Sequence, residues 1–291
     1  MNIALPTIGT VFSVGDEKGD IPLFSVRVEV FGRKTGNWSI RHVKEKRDMP
    51  NYPLARKRVR TICTIAAIRG AKCVIAPIPS RLSGTVIAAR NVPPEGVIRL
   101  TPPFLRGIYA DGAFLGRNEA FFMASADCPI VVLVGTQSGI VAALHGGRDA
   151  IIDRSAAEKG IPSRRYESVV DAALARFPDE PDAIFAFIGF GIGARHFRHP
   201  FGHPVHGKRN RALVSYLMHK YGCVVRGAEE EGCIDLSEII FRQIVRHKIP
   251  ACNIKRDGAD TFSDKDASGE YRFWSHARGD DGRNGILVTR K

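Results

Sequence analysis

Four short apolar runs in the middle of the chain constrain its fold more than any other feature: GTVIAAR (84–90), EGVIRL (95–100), DCPIVVLVG (127–135) and SGIVAALHGG (138–147). Each is shorter than a helix needs, rich in β-branched residues and punctuated by Gly or Pro, the pattern of buried strands lying side by side in one sheet. IVVLVG and IVAALHG are separated only by a turn at 136–139, so they predict an adjacent antiparallel pair. Cys128 opens the first run and His145 closes the second. The predicted pairing would bring both to one edge of the sheet.

The flanking segments supply the remaining elements. IPLFSVRVEVF (21–31) alternates Phe24, Val26, Val28 and Val30 with Ser25, Arg27 and Glu29, the period of a strand with one buried face. YPLARKRVRTICTIAAIRGA (52–71) puts Leu54, Val59, Ile62, Ile65 and Ala66 near helical spacing, with a basic outer face and a stop at Gly70. SRRYESVVDAALARF (163–177) has a second helical face, and DAIFAFIGFGIG (182–193) reads as a buried strand running into glycines. GKRNRALVSYLMHKYG (207–222) predicts a helix closed by Gly222, and DLSEIIFRQIVRHKIP (235–250) one opened by an Asp235 and Glu238 cap pattern and stopped by Pro250. ILVT (286–289) predicts a last strand. With neither internal repeat nor low-complexity linker, this order predicts an α/β fold, an α+β sandwich with a mixed central sheet flanked by helices, in a single domain over 1–291.

No window reaches eighteen apolar residues, and the start, MNIALPTIGTVFSVGDEKGD, lacks a basic flank and a long apolar segment. Neither a membrane span nor a secretory signal is expected, and the cytoplasm is the expected compartment. The six cysteines, Cys63, Cys73, Cys128, Cys223, Cys233 and Cys252, form no CxxC pair and no regular ladder, which predicts free thiols rather than a zinc knuckle or a disulfide scaffold. A net charge of +13 would draw anionic small molecules, phosphate or nucleic acid to the surface. Its densest clusters, LARKRVR (54–60) and HGKRNR (206–211), read first as solvated helix faces, which places a small-molecule substrate ahead of nucleic acid as the partner.

A thiol beside an imidazole is a nucleophile with its base, which makes Cys128 and His145 catalytic candidates, with the acid Asp127 beside them. The same two side chains are zinc ligands, although a catalytic zinc needs three from the protein. Against both stands a plain packing role: a cysteine in a Val/Ile strand is usually a small buried hydrophobe. Gly146 and Gly147 could offer backbone N–H groups to a substrate anion, and Arg148 a guanidinium fork. GFGIG (189–193) has the wrong spacing for a dinucleotide fingerprint and reads as a tight strand-end turn.

This constellation resembles the bacterial laccase-domain (polyphenol oxidase, multicopper-type) family, whose members include purine nucleoside phosphorylases. The matching pieces are ADC (126–128) and HGGRD (145–149), preceded by YADGAFLGRNEAFFM (109–123) and followed by AFIGFGIGARHF (186–197) and FWSHARGDDGR (273–283). FSVR (24–27) is similar to the family's usual opening, so the resemblance runs from about residue 20 to 291. It implies a metal, commonly zinc, held by the cysteine and two histidines, and purine nucleosides, with phosphate, as substrates. Carried over, Cys128 and His145 match two ligands, while Phe104, in VIRLTPPFLRGIYADG (97–112), stands where the upstream histidine is expected. The family's Trp in the histidine motif is missing. Of its paired arginines Arg278 is kept, as an anion-binding candidate, and Ala277 replaces the other.

Three functional expectations follow. In the first, a divergent family enzyme acts on purine nucleosides by phosphorolysis or deamination, with zinc as cofactor and a further ligand drawn from His196, His199, His203 or His206 in ARHFRHPFGHPVHG (194–207). In the second the lost histidine means no metal, and Cys128 with His145 forms a hydrolase or deamidase dyad. That arrangement resembles the cysteine hydrolases of cytotoxic-necrotizing-factor toxins, which share the fold superfamily. In the third the site is inactive and the chain binds nucleotides or nucleic acid.

Overall fold

In the antiparallel pair at the centre of the fold, Ile130–Gly135 runs against Val141–His145, with His145 opposite Ile130 and Val141 opposite Val134. The computed structural model of the chain describes residues 8–15, 22–40, 52–79, 85–222, 225–226 and 231–291. Cys223 lies outside these residues.

The predicted class holds, with one elaboration: the mixed sheet is two sheets. The central pair belongs to a six-stranded sheet in the order Ile254–Arg256, Ile184–Gly189, Ile130–Gly135, Val141–His145, Gly112–Leu115, Val86–Ile87. A seven-stranded sheet runs Ile8–Gly15, Pro22–Phe31, Asn284–Arg290, Glu119–Ser125, Cys73–Ile75, Phe104–Leu105, Val97–Ile98. EGVIRL therefore leaves the company of the other three central runs and forms the edge of the second sheet. A third, three-stranded sheet joins Arg198–Pro200, Glu231–Ile234 and Val225–Arg226.

Three apolar clusters hold the layers together. Val26, Val28, Val30 and Val288 of the seven-stranded sheet meet Val132, Val134, Val141 and Ala143 of the six-stranded one. On the other side of the six-stranded sheet Val131, Leu133, Ala142 and Leu144 pack with Leu213 and Leu217 of the Gly207–Tyr221 helix and Ile239, Ile240 and Ile244 of the Leu236–Arg246 helix. Successive residues of one strand thus serve two different cores, and IVVLVG is apolar throughout because neither of its faces meets water. On the outer face of the seven-stranded sheet, Val59, Ile62 and Ala66 of the Tyr52–Ile68 helix cover Val74, Phe104 and Phe122.

Helix ends follow the local chemistry. The Asp235 side chain accepts from the Glu238 N–H at 2.8 Å to cap the Leu236–Arg246 helix, and Gly222, at φ 65°, ends Gly207–Tyr221. The expected helix over 163–177 shortens to Val169–Leu174, capped by Ser168. Among the described residues no helix is long and apolar enough to cross a membrane, and Cys63, Cys73, Cys128, Cys233 and Cys252 are free thiols.

Candidate functional site

Residues 126–129 carry the chain from the seven-stranded sheet, which it leaves at Ser125, into the six-stranded sheet at Ile130. The crossing is tight. Asp127 takes φ 85°, a left-handed conformation that Asp tolerates better than most side chains, and its surroundings hold it there. Its carboxylate accepts from Thr261 Oγ1 at 2.8 Å and from the Ala277 N–H at 2.7 Å, while its carbonyl accepts from the Ile192 N–H at 2.8 Å. One buried aspartate therefore anchors three loops around the next residue, Cys128. Both oxygens of Asp127 are engaged, which suits a positioning residue better than a proton carrier.

His145 arrives from the other direction. By the two-residue period it shares a face with Val141 and Ala143, toward the gap between the sheets, and it stands where its strand ends. Asp111, one residue before the Gly112–Leu115 strand, holds it twice: the His145 N–H donates to the Asp111 carbonyl at 2.6 Å, and Nδ1 lies 3.4 Å from the buried Asp111 carboxylate. Burial opposes a charge on this imidazole, but Cys128 and Asp111 together outweigh it and push its pKa up to about 10. The ring is held as a cation at neutral pH while its side chain keeps 18% of its exposure.

Gly147 shows how closely the thiol and the imidazole approach. A Cβ there would stand 2.8 Å from His145 Nε2, 2.5 Å from His145 Cε1 and 3.3 Å from Cys128 Sγ. Only a glycine leaves room for both groups at that point. Gly146 has a different task, since its N–H donates to the Pro129 carbonyl at 2.8 Å and closes the strand end.

Cys128, His145, Asp111, Asp127, Gly147 and Arg148 all line one cavity of about 520 Å³, within the range of small-molecule sites. A larger cavity of about 810 Å³, between Arg90, Arg176 and Arg290, is lined by no Cys or His. Asp149 and Ala150 line the smaller cavity too, as do Pro79, Phe197, Leu236 and His276, which were not singled out from the sequence. Asp111 was also missed, although YADGAFL carried it; an acid beside Gly112, just ahead of an apolar run, was the available signal.

Two expected site residues lie elsewhere. Phe104 is fully buried in the core under the Tyr52–Ile68 helix, paired with Val74 and absent from the cavity wall, so it does not occupy a ligand position. The apolar run around it belongs to the sheet interior, and among the described residues the cavity wall upstream of Asp111 is Pro79, whose side chain has no donor atom to offer a metal. Arg278 donates to the carbonyls of Thr261, Phe262 and Phe273, pairs with Asp280, and stacks 3.8 Å from the Tyr271 ring centroid. It staples the C-terminal loops and stays outside the cavity wall.

The four histidines of the 194–207 segment do not converge on Cys128. His196 stacks on Phe262 and faces Asp260 at 3.5 Å. His199 is buried with Nε2 3.4 Å from Arg148 Nη1, and His203 and His206 are exposed. Among the described residues no three His, Cys, Asp or Glu side chains form a metal-binding group. Among the described residues, Cys128 and His145 fall one ligand short of a three-ligand zinc site, so the described donor set does not fit the zinc centre that the resemblance implies.

Residues 86–291 match the family model described as multi-copper polyphenol oxidoreductase laccase. No curated protein sequence matches the chain. Among solved structures it is similar to Neisseria meningitidis protein NMB0706 (TM-score 0.60, 17% identity, covering 91% of this chain and 93% of that one). It is also similar to YlmD from Geobacillus stearothermophilus (0.61, 17%, 92% and 92%) and to the Bacillus licheniformis hypothetical protein YfiH (0.58, 16%, 91% and 92%). At these identities the structural likeness concerns the fold.

Proposed function

Because this chain belongs to the multi-copper polyphenol oxidoreductase laccase family, we propose that it is a divergent enzyme of that family whose chemistry is carried by Cys128, His145 and Asp111. Its reaction is hydrolytic removal of an amine from an sp² carbon. The substrate is a purine nucleoside, as the family resemblance implies, or a small carboxamide. The observation that carries this reading is the convergence of thiol, imidazole and buried carboxylate at the wall of a single cavity, in the order nucleophile, acid/base and orienting group.

The steps follow from where the protons sit. With His145 holding the proton, Cys128 reacts as thiolate and its sulfur adds to the electrophilic carbon. As the C–N bond breaks, His145 gives its proton to the leaving amine, which departs as ammonia. Neutral His145 then takes a proton from water, the hydroxyl oxygen attacks the sulfur-bound carbon, and the C–S bond breaks to return the thiolate and imidazolium. Asp111 fixes the ring through Nδ1 and leaves Nε2 facing the reaction, as in other Cys–His arrangements with a third orienting group. No step is routed through zinc, because the described residues lack a third ligand.

Ammonia release from adenosine and from free glutamine, measured with the wild type and with Cys128→Ala, tests the reading. Release that depends on Cys128 supports it. A Cys128→Ala protein with undiminished turnover would remove the sulfur from the mechanism.

A further inference from the structure

The cavity of Cys128 lies at one end of the Gly112–Leu115 and Val141–His145 strands, and the larger cavity of about 810 Å³ lies at the other. Asp111 and His145 line the first, Leu115 and Ile140 the second. At about 3.3 Å per residue these positions stand roughly 13–17 Å apart along the strands. The two cavities share no wall residue among those described, so the larger one is a separate place and no extension of the reaction site.

Its depth is apolar and its edge cationic. Buried Val86, Ile87 and Leu115 line it together with the exposed Arg90 and Arg176 and the half-buried Arg290. Among the described residues Glu119 is the one carboxylate in the wall, and it is already committed: it accepts from the Gly116 N–H at 2.7 Å and from the Cys73 thiol. The three guanidiniums find only carbonyls. Arg176 Nη1 donates to the Val86 carbonyl at 3.0 Å and Arg290 Nη1 to that of Leu115 at 2.6 Å, while Arg90 bonds to neither.

Two of these guanidiniums are also backed by rings. Arg176 lies over Phe114, 5.6 Å from its centroid, and Arg290 over Phe24 at 5.2 Å. A guanidinium with an aromatic ring on its face keeps its edge for a planar partner. Burial lowers the Arg290 pKa, Glu119 restores only part of the loss and Arg117 adds to it. The Arg290 Nε is buried with no hydrogen-bond partner. The cavity therefore holds more cation than its own acid neutralises, above a surface of hydrocarbon.

We propose that this cavity is a second ligand site, for a carboxylate with an apolar body. A dicarboxylate fits it best, because three guanidiniums face a single carboxylate that is already engaged. The ligand's planar oxygens match the guanidinium fork, and its hydrocarbon covers Val86, Ile87 and Leu115. A volume of about 810 Å³ is within the range of small-molecule sites. The site is independent of the reaction proposed at Cys128, which uses none of these residues.

Calorimetric titration of the full chain with octanedioate, octanoate, acetate and octanol tests the proposal. The proteins are the wild type, Arg90→Gln, Arg90→Gln/Arg176→Gln, Cys128→Ala and, as a remote basic control on the Tyr52–Ile68 helix, Lys57→Gln. Octanedioate should saturate one site and bind more tightly than octanoate, with acetate and octanol each about tenfold weaker than octanoate or worse. The double variant should lose about tenfold in octanedioate affinity, with Cys128→Ala and Lys57→Gln behaving as wild type. Arg90 is exposed, so the single variant, with a smaller loss, keeps the test valid if the double variant unfolds. Octanol bound as well as octanoate removes the role of the charge, and acetate bound as well removes that of the apolar surface; either result overturns the site. Absence of saturable octanedioate binding, full affinity in both arginine variants, or an equal loss in Lys57→Gln does the same. Binding lost in Cys128→Ala would put the ligand in the reaction cavity and overturn it too. Ammonia release that depends on Cys128 is unaffected by any of these failures, so the two proposals stand or fall separately.

Discussion

His145 and His199 stand on either side of Arg148, both largely withdrawn from solvent, yet one is a cation and the other is neutral. His145 faces Cys128 and Asp111, which overcome the cost of burial and raise its pKa to about 10. His199 faces a guanidinium, which adds to that cost, and its pKa falls to about 4. Burial opposes the cation in both; beside His145 the neighbouring acidic groups outweigh it, whereas beside His199 the guanidinium acts in the same direction. One ring holds a proton ready for transfer, and the other stays neutral so that it can accept a hydrogen bond.

The most damaging way to break this contrast is to remove the groups that create it on the catalytic side. Cys128→Ala is expected to abolish turnover, and His145→Ala to lower kcat about 10²- to 10⁴-fold, as steady-state ammonia release would show. In the wild type, iodoacetamide should label Cys128 well ahead of Cys63 and Cys73, whose thiols burial pushes up to about 12. Labelling of the three at one rate would contradict the proposed activation.

Gly147→Ala sharpens the geometry. Its methyl would fall 2.5 Å from His145 Cε1, so the ring must move, and a displacement of this kind costs about 10²-fold in kcat. KM and the melting temperature should change much less. A full-rate variant would mean that the thiol and the imidazole need not meet.

Asp111→Asn should bring the His145 pKa down and weaken the alkaline limb of the stability profile. The sign follows from the raised value. Stabilisation by the His145 cation is complete below the ordinary histidine pKa of about 6.5 and is lost as pH rises through about 10. Melting curves across that window should be flatter for the variant, and curves that superimpose on the wild type would deny Asp111 its role.

The smallest effect is on the other side of Arg148. His199 is neutral when folded, so its contribution is present above pH of about 6.5 and is lost as pH falls toward about 4, where the unfolded ring gains a proton that the folded one refuses. His199→Gln should remove this part of the acid limb while leaving ammonia release near the wild-type rate. A variant with the same acid profile would show that the burial of a neutral His199 does not shape that limb.

Much of the architecture was legible before any coordinates. The antiparallel pair, the Asp235 cap and the Gly222 stop are written in local periodicity and capping chemistry, which act over a few residues. The division of the sheet in two was not, because IVVLVG looks the same whether its second face meets helices or another sheet. Counting along a motif put Phe104 at the edge of the site, but the strand that holds it turns its side chain into the core beneath a helix.

From composition and spacing alone came the strands, their apolar faces and the suspicion that Cys128 and His145 share an edge. Only the tertiary structure brought Asp111 behind the imidazole, assigned Asp127 and Arg278 to holding loops together, and set Arg148 against His199 at the cavity wall. Secondary structure depends on neighbours in the chain, so it can be read along the chain. Charge states and ligand sets depend on groups tens or hundreds of residues apart, and nothing short of the packed fold says which of them will touch.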